Sequence, residues 1–390
     1  MPDATQRSTP LLHLTELADP DARLVAESVR RFTDDHVRPY VADWYERGVF
    51  PREIAGGLAE LGLLGVSIEG FGCAGLDPIA AGCAYLELEA ADSGLRSFAS
   101  VQGALAMGAI DKFGSDDQKE QWLPQMAKGE VIGCFGLTEP DAGSDPGSMR
   151  TRARRDGTDW VIDGTKMWIT NGAIADVAVV WAVTDDGVSA FLVPTETPGF
   201  QATVMHDKLS LRASVTSELI LDGCRLPADA QLPDARGLGA ALKCLNDARY
   251  GIAWGAVGSA RECYEIAVRY ATEREQFGRP IGGFQLTQRK LATMAIELQK
   301  AALLAAHVGK LKRDGQLLPA HVSMAKLNNV RTALDIAREA RTILGANGVS
   351  GEYGVMRHAN NLEAVLTYEG TEEIHTLVVG EAITGLQAYR

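Results

Sequence analysis

Three kinds of side chain in this sequence have the widest chemical scope: a lone carboxylate, a lone arginine in an apolar stretch, and a loop dense in hydroxyls. Glu369 lies in LEAVLTYEGTEEIH (Leu362 to His375), where Tyr368, Glu369, Gly370 and Thr371 break the helical pattern before a last helix. A glutamate there is ordinarily solvated or caps the helix; held dry beside a weakly acidic carbon, the same carboxylate is a general base. Arg96 sits in DSGLRSFASVQ (Asp92 to Gln102) among small and apolar residues. Its ordinary reading is an ion pair with Glu89 or Asp92, and its functional reading is a planar fork for a ligand carboxylate. FGLTEPDAGSD (Phe135 to Asp145) combines glycines, a proline and Ser/Thr/Asp side chains. Such a loop offers N–H groups and hydroxyls to a flat polar ligand, though a domain-boundary turn would look alike.

Three further segments are weaker. Trp168-Ile169-Thr170 ends a strand pattern, where a buried aromatic is the plain reading. EREQFGRPIGGFQ (Glu273 to Gln285) interrupts two long helices, and its Arg274 either contacts a phosphate or complements a helix dipole. LGANG (Leu344 to Gly348) is a glycine stop signal. The six cysteines and seven histidines form no CxxC pair, no zinc-ligand spacing and no HExxH, so no metal is expected and the thiols read as reduced and mostly buried.

The elements that must position these groups fall into three textures. Residues 1–130 read helical, with DARLVAESVRRFTDDHV and FPREIAGGLAELGLLG carrying apolar residues at three- and four-residue spacing. Residues 131–235 read as antiparallel strands: VAVVWAV, SAFLVP and SELILDGCRL are short and bounded by turn signals. WVIDGTKMWIT is expected to be a strand–turn–strand with Asp163-Gly164 at the turn. No G-x-G-x-x-G follows a strand, which disfavours a Rossmann site. Residues 236–390 return to long Ala-rich helices with broad apolar faces, the pattern of a four-helix bundle with an oligomer surface. The expected fold class is α+β, in the order helical domain, antiparallel β-barrel-like domain, helical bundle.

Composition narrows the function. A chain of 390 residues with 46% hydrophobic and 23% charged residues is ordinary for a globular protein, and a net charge of -13 leaves no basic field for nucleic acid. No charge-free apolar stretch of membrane-spanning length is expected, and MPDATQRSTPLLHLTELADPD resembles neither a secretory signal nor a mitochondrial presequence. The expectation is a cytoplasmic protein of bacterial type.

GLTEPDAGSD, KMWITNG, the R-x-Q-F-G element and YEGT, in this order, resemble the signature stretches of the acyl-CoA dehydrogenases across nearly the whole chain. The resemblance implies FAD in a cleft between the β domain and the bundle. Phe135, Leu137, Thr138, Gly143, Ser144, Trp168, Ile169, Thr170 and Thr371 match its flavin contacts. Arg274, Phe277, Gln285, Leu344, Gly345 and Ala346 match contacts that a neighbouring subunit makes to the FAD pyrophosphate and adenine side. A homotetramer, an acyl-CoA substrate and an electron-transfer flavoprotein as acceptor are implied with it.

In that family an α-proton leaves the acyl thioester for a carboxylate while a hydride leaves the β-carbon for the flavin. Glu369 resembles the base. The alternative position, before the bundle arginine that matches Arg249, is Ala248, which carries no base. Leu245, Asn246, Arg249, Ser144, Tyr368 and Gly370 match positions around the substrate. Arg96-Ser97, with Glu89 and Ser100 as further polar partners, resembles the pair that holds the distal carboxylate in the glutaryl-CoA subgroup, and the resemblance extends over LNDARYGIAWG and NLEAVLTYEGT. A monoacyl chain would leave Arg96 buried without a counter-ion. Glutaconyl-CoA formed by oxidation would then lose its γ-carboxylate as CO₂ to give crotonyl-CoA, and Tyr368 matches the decarboxylating type. Leu366 and Leu95 depart from the subgroup's polar and aromatic residues, which keeps other diacids open. The rival readings are a short- or branched-chain dehydrogenase with a structural Arg96, an oxygen-using oxidase or monooxygenase, and a nonenzymatic flavoprotein. Glu369 and the complete FAD segments count against the last.

Overall fold

The structure, a computed structural model, describes residues 18–388; the expectation made for the N-terminal segment lies mostly outside them. The helical region comprises α1 (Pro20–His36), α2 (Val41–Arg47), α3 (Ile54–Glu60), α4 (Pro78–Ala91), α5 (Ser93–Ser100), α6 (Gly108–Phe113) and α7 (Asp116–Ala127). α4 is apolar nearly all round, apart from Glu87 and Glu89, and lies almost wholly inside; it starts at Asp77, whose side chain accepts from Ile79 N, with Pro78 in the first turn. Asp92 ends α4 and caps α5, accepting from Gly94 N at 2.7 Å. Between α5 and α6 the chain widens into a π-helical stretch, Val101–Met107. Periodicity gave no sign of it, although such bulges gather at functional sites. Ser115, rather than the two aspartates after it, caps α7 in a capping box with Gln118.

Gln102, inside the π-helical stretch, joins the helices to the sheet. Its amide donates to Val131 O at 2.9 Å and Met126 O at 3.2 Å, and its carbonyl accepts from Gly133 N at 2.7 Å. The sheet contains β1 (Gly133–Gly136), β2 (Arg152–Asp156), β3 (Asp159–Thr170), β4 (Val177–Thr184), β5 (Gly187–Pro194), β6 (Phe200–Val204) and β7 (Thr216–Leu226). Its order is β1-β4-β2-β3-β7-β6, with β5 on β4. Most pairs are antiparallel as expected, but β1 joins β4 in parallel, and β2 touches β4 in parallel at Arg152 and Val183. WVIDGTKMWIT is a single strand, which corrects the strand–turn–strand expectation. Asp163-Gly164 makes a register shift instead of a turn, because Asp163 accepts from Gly223 N of β7 and β3 stays paired with β7 on both sides. A side chain at 164 would come within 2.3 Å of Thr151, so glycine is required there.

The C-terminal region holds α8 (Leu238–Glu273), the short hairpin β8 (Glu275–Gln276) and β9 (Arg279–Pro280), α9 (Gln285–Arg313), α10 (Pro319–Leu344), α11 (Val355–Thr367) and α12 (Glu372–Thr384). α8 packs on both α4 and α10, so one core runs from the first helical region into the bundle, while the sheet keeps a second core of its own. Among the described residues, α9 is a helix long and apolar enough to cross a membrane, with a third of that window buried. The expectation of no such stretch held only for charge-free segments: this one carries Glu297 and Lys300. Its exposed Leu286, Ile296 and Leu303 make it apolar beyond what the bundle covers.

Candidate active site

Two cations hold the turn that presents Glu369. Glu369 itself has a left-handed backbone, φ 52°, which a residue with a Cβ adopts at a cost of about 1–3 kcal/mol. Lys326 of α10, fully buried, donates from Nζ to Tyr368 O at 2.6 Å and to Gly370 O at 2.7 Å. Arg249 of α8 donates from Nε to Glu369 O at 2.7 Å and from Nη1 to Asn246 Oδ1 at 3.2 Å. Gly370, at φ 100°, has no room for a side chain, since a Cβ would stand 2.9 Å from His375 Nε2 and 3.3 Å from Arg249 Nη2. Thr371 ends the turn by capping α12.

The carboxylate oxygen Oε2 of Glu369 is shielded from solvent and has no hydrogen-bond partner among the described residues. Burial raises its carboxyl above the usual range, opposed by Arg96, Lys326 and Arg249. Burial likewise pushes Lys326 down to about 7, with Glu369 pulling the other way. A raised carboxyl beside a lowered amine is the pattern of a tuned acid–base site.

Arg96 and Glu89 are both fully buried. Arg96 Nε donates to Glu89 Oε2 at 2.6 Å, Nη2 donates to the Tyr368 hydroxyl, and the guanidinium lies 5.6 Å from the Tyr368 ring centre. Ser97 Oγ is 3.2 Å from the same hydroxyl, and burial pushes that phenol up to about 12. The expectation that a monoacyl chain would leave Arg96 without a counter-ion is therefore corrected: Glu89, one turn-pair away across the α4–α5 corner, already balances its charge. What the protein leaves open is geometric. Arg96 Nη1 and Ser100 Oγ are buried without hydrogen-bond partners among the described residues. A buried polar atom left without a partner is costly, so each calls for one. Asp92, the other candidate partner for Arg96, instead pairs with Arg357 at 3.0 Å and Asn361 at 3.0 Å. Leu95 belongs to the main core, and Leu366 is packed against it.

The loop from Phe135 and strand β3 adjoin, because Met167 N donates to Thr138 O at 2.9 Å. Phe135 and Leu137 are buried, Thr138 and Thr170 half-buried, and Gly143 and Ser144 exposed. Trp168 is 59% exposed on a left-handed backbone, which sets an aromatic face outward where a buried strand residue was the plain reading. Ile169 turns its side chain into the sheet core, so any contact it makes with a cofactor is through its backbone. Glu139, within the same loop, accepts from Arg150 N, Thr151 N and Lys166 Nζ at 2.6, 2.9 and 2.8 Å, and Lys166 also donates to Leu137 O. This buried pair fixes the loop's shape.

At the other end of the bundle, Arg274, Leu344, Gly345 and Ala346 line one open concavity with Tyr270 and Gln276. Phe277 and Gln285 are not part of its lining; Phe277 is 95% exposed and meets Phe284 edge to face. Leu245 and Asn246 are half-buried on α8 beside Arg249, and Ala248 is buried.

The residues fit a flavin dinucleotide. An outward tryptophan face beside two threonines and a side-chain-free Gly143 suits an isoalloxazine ring, and an exposed arginine beside a left-handed glycine suits a pyrophosphate. Three family models cover the chain in order: the acyl-CoA dehydrogenase N-terminal domain over residues 19–130, the middle domain over 134–224 and the C-terminal domain over 235–384. The chain belongs to the acyl-CoA dehydrogenase family, and its cofactor is FAD.

A crystal structure of glutaryl-CoA dehydrogenase from Mycobacterium smegmatis superposes with a TM-score of 0.96 at 61% identity, covering 97% of this chain and 98% of that one. A second glutaryl-CoA dehydrogenase from the same organism, in complex with FADH2, gives a TM-score of 0.96 at 56% identity with the same coverage. The human mitochondrial short-chain specific acyl-CoA dehydrogenase is 38% identical over 375 residues, 94% of this chain and 90% of that protein.

Sequence reading missed Lys326, His375, Glu139 and Lys166. Lys326 had a visible signal: Val322, Ala325, Asn329, Val330 and Ala333 share its buried helix face, and a lysine on such a face needs a partner.

Proposed function

We propose that this acyl-CoA dehydrogenase acts on glutaryl-CoA and converts it to crotonyl-CoA and CO₂. The observation that carries the reading is the buried, unpartnered Arg96 Nη1, with the unpartnered Ser100 Oγ one helical turn further along α5. A distal carboxylate supplies acceptors for both vacancies, whereas a methyl terminus leaves them open. Bound FAD supplies the hydride acceptor for the β-carbon. Glu369 takes the α-proton, and its own N–H is a donor for the thioester oxygen as enolate charge develops, an interaction worth about 3 kcal/mol. The γ-carboxylate of the enoyl product leaves as CO₂, and the electron pair of the broken bond is protonated by Glu369 in its acid form. Tyr368 orients the Arg96 fork. The flavin residues are those on the Phe135 loop and around Trp168, with Arg274 and Leu344–Ala346 reaching a neighbouring subunit's FAD. The exposed apolar face of α9 supports a homotetramer, and the outward Trp168 supports electron transfer to an electron-transfer flavoprotein.

The test mixes the holoenzyme with glutaryl-CoA or butyryl-CoA and follows flavin bleaching and released CO₂. Bleaching and CO₂ with glutaryl-CoA are expected; ready bleaching with butyryl-CoA alone refutes the diacid reading.

A further inference from the structure

The three carbonyls at 368, 369 and 370 each accept a hydrogen bond from a cation: Lys326 holds the outer two and Arg249 the central one. They begin at the C-terminal cap of α11, Tyr368, where no intrahelical donor serves them. The left-handed Glu369 and the glycine at 370 are the backbone conformation that places them so. His375 closes the arrangement from below. Its Nδ1 is 3.0 Å from Ser323 Oγ, while its buried Nε2 lies against the Glu369–Gly370 backbone. Burial takes this imidazole down to about 3, so it stays neutral and adds no charge under the turn.

We propose that Lys326 is the positioning residue for the base: by bridging Tyr368 O and Gly370 O it keeps Glu369 in its left-handed conformation, with the carboxylate directed into the acyl pocket. This rests on the reading of Glu369 as the base. Lys326 also acts through its charge. It is faced by Glu369 and Tyr368 from the turn, Arg249 from α8, Arg96 from α5 and His375 from α12, and it lowers the Glu369 carboxyl that burial raises. A neutral side chain in its place therefore has two effects. The turn loses the bridge that offsets its backbone strain, and the carboxylate loses a stabilising cation.

The experiment compares Lys326→Met, Lys326→Gln and Glu369→Gln holoenzymes by rapid-mixing flavin reduction with glutaryl-CoA across pH. Lys326→Met is expected to retain FAD, change KM by less than about threefold, and slow flavin reduction by about 10²-fold, the scale of a misplaced catalytic group. The acid limb of its rate profile should move to higher pH, since the carboxylate becomes harder to ionise. Lys326→Gln, which keeps a neutral donor, should recover part of the rate while retaining the shifted limb. A wild-type rate and an unmoved limb in Lys326→Met, with Glu369→Gln inactive, overturns the proposal. Should Lys326→Met lose FAD, Lys326→Gln decides by the same two readouts. Activity persisting in Glu369→Gln refutes the base reading instead, whatever the lysine variants do.

Discussion

Two buried arginine–glutamate centres stand back to back on α4, and they are built to opposite ends. Glu87 faces α1 and α8, where its two oxygens accept bidentate pairs from both Arg30 and Arg261 at 2.7–3.1 Å. Neither Arg30 nor Arg261 leaves a buried nitrogen without a partner among the described residues. Two residues on, Glu89 faces α5 and meets a single arginine, Arg96, whose Nη1 stays unpaired. Two positions along a helix turn the side chain through more than half a circle, so one helix serves a saturated centre on one side and an open one on the other. A saturated network specifies packing; a network with an unmet donor leaves room for one more acceptor.

The largest effect should come from Glu369, whose carboxyl feels the Arg96 of the open centre. Glu369→Gln is expected to retain FAD and lose about 10²–10⁴ in flavin-reduction rate, measured by stopped-flow bleaching. The saturated centre should answer in stability alone. Glu87→Gln strips two half-buried arginines of their shared buried counter-ion and should cost about 3 kcal/mol in denaturant unfolding, with kcat unchanged where the protein is folded. The Glu87 carboxyl sits at about 2: burial raises it, but Arg261 and Arg30 outweigh that. Because its folded value lies below the ordinary one, its stabilising contribution is present above the ordinary carboxylate range and fades as pH falls toward 2. Glu87→Gln should therefore flatten the acid side of the stability profile. The open centre should answer in specificity. Arg96→Lys keeps a charge for Glu89 but loses the planar fork, and should lower kcat/KM for glutaryl-CoA by about 10²-fold with a smaller loss on butyryl-CoA. Equal losses on both substrates would place Arg96 with the structural arginines. The smallest effect is on pH: the wild-type rate should rise with pH through a value above the usual carboxylate range, reflecting the raised Glu369 carboxyl.

The α–β–α order was legible because long Ala-rich periodic runs and short alternating runs differ in period, and the change of texture is abrupt. The ordered segments around Phe135, Trp168, Arg274 and Tyr368 placed the chain in its family. The single long β3 was not legible, since Asp-Gly signals a turn whether or not a neighbouring strand holds it straight. Nor was the π-helical stretch, whose one extra residue leaves no mark on composition. Arg96 was singled out, but its counter-ion was open between Glu89 and Asp92; the capping of α5 by Asp92 and its pairing with Arg357 settle that.

Residue identities alone determined that a carboxylate, a planar cation and a hydroxyl-rich loop were available, and in what order along the chain, because periodicity and turn chemistry are local. Only the tertiary structure decided which donors stay unsatisfied. Whether Arg96 Nη1 or Glu369 Oε2 finds a partner depends on residues up to 272 positions away, such as Tyr368 to Arg96. Burial is set by the folded chain as a whole, so which polar atoms end up away from solvent without a protein partner is fixed only once the chain has closed around them.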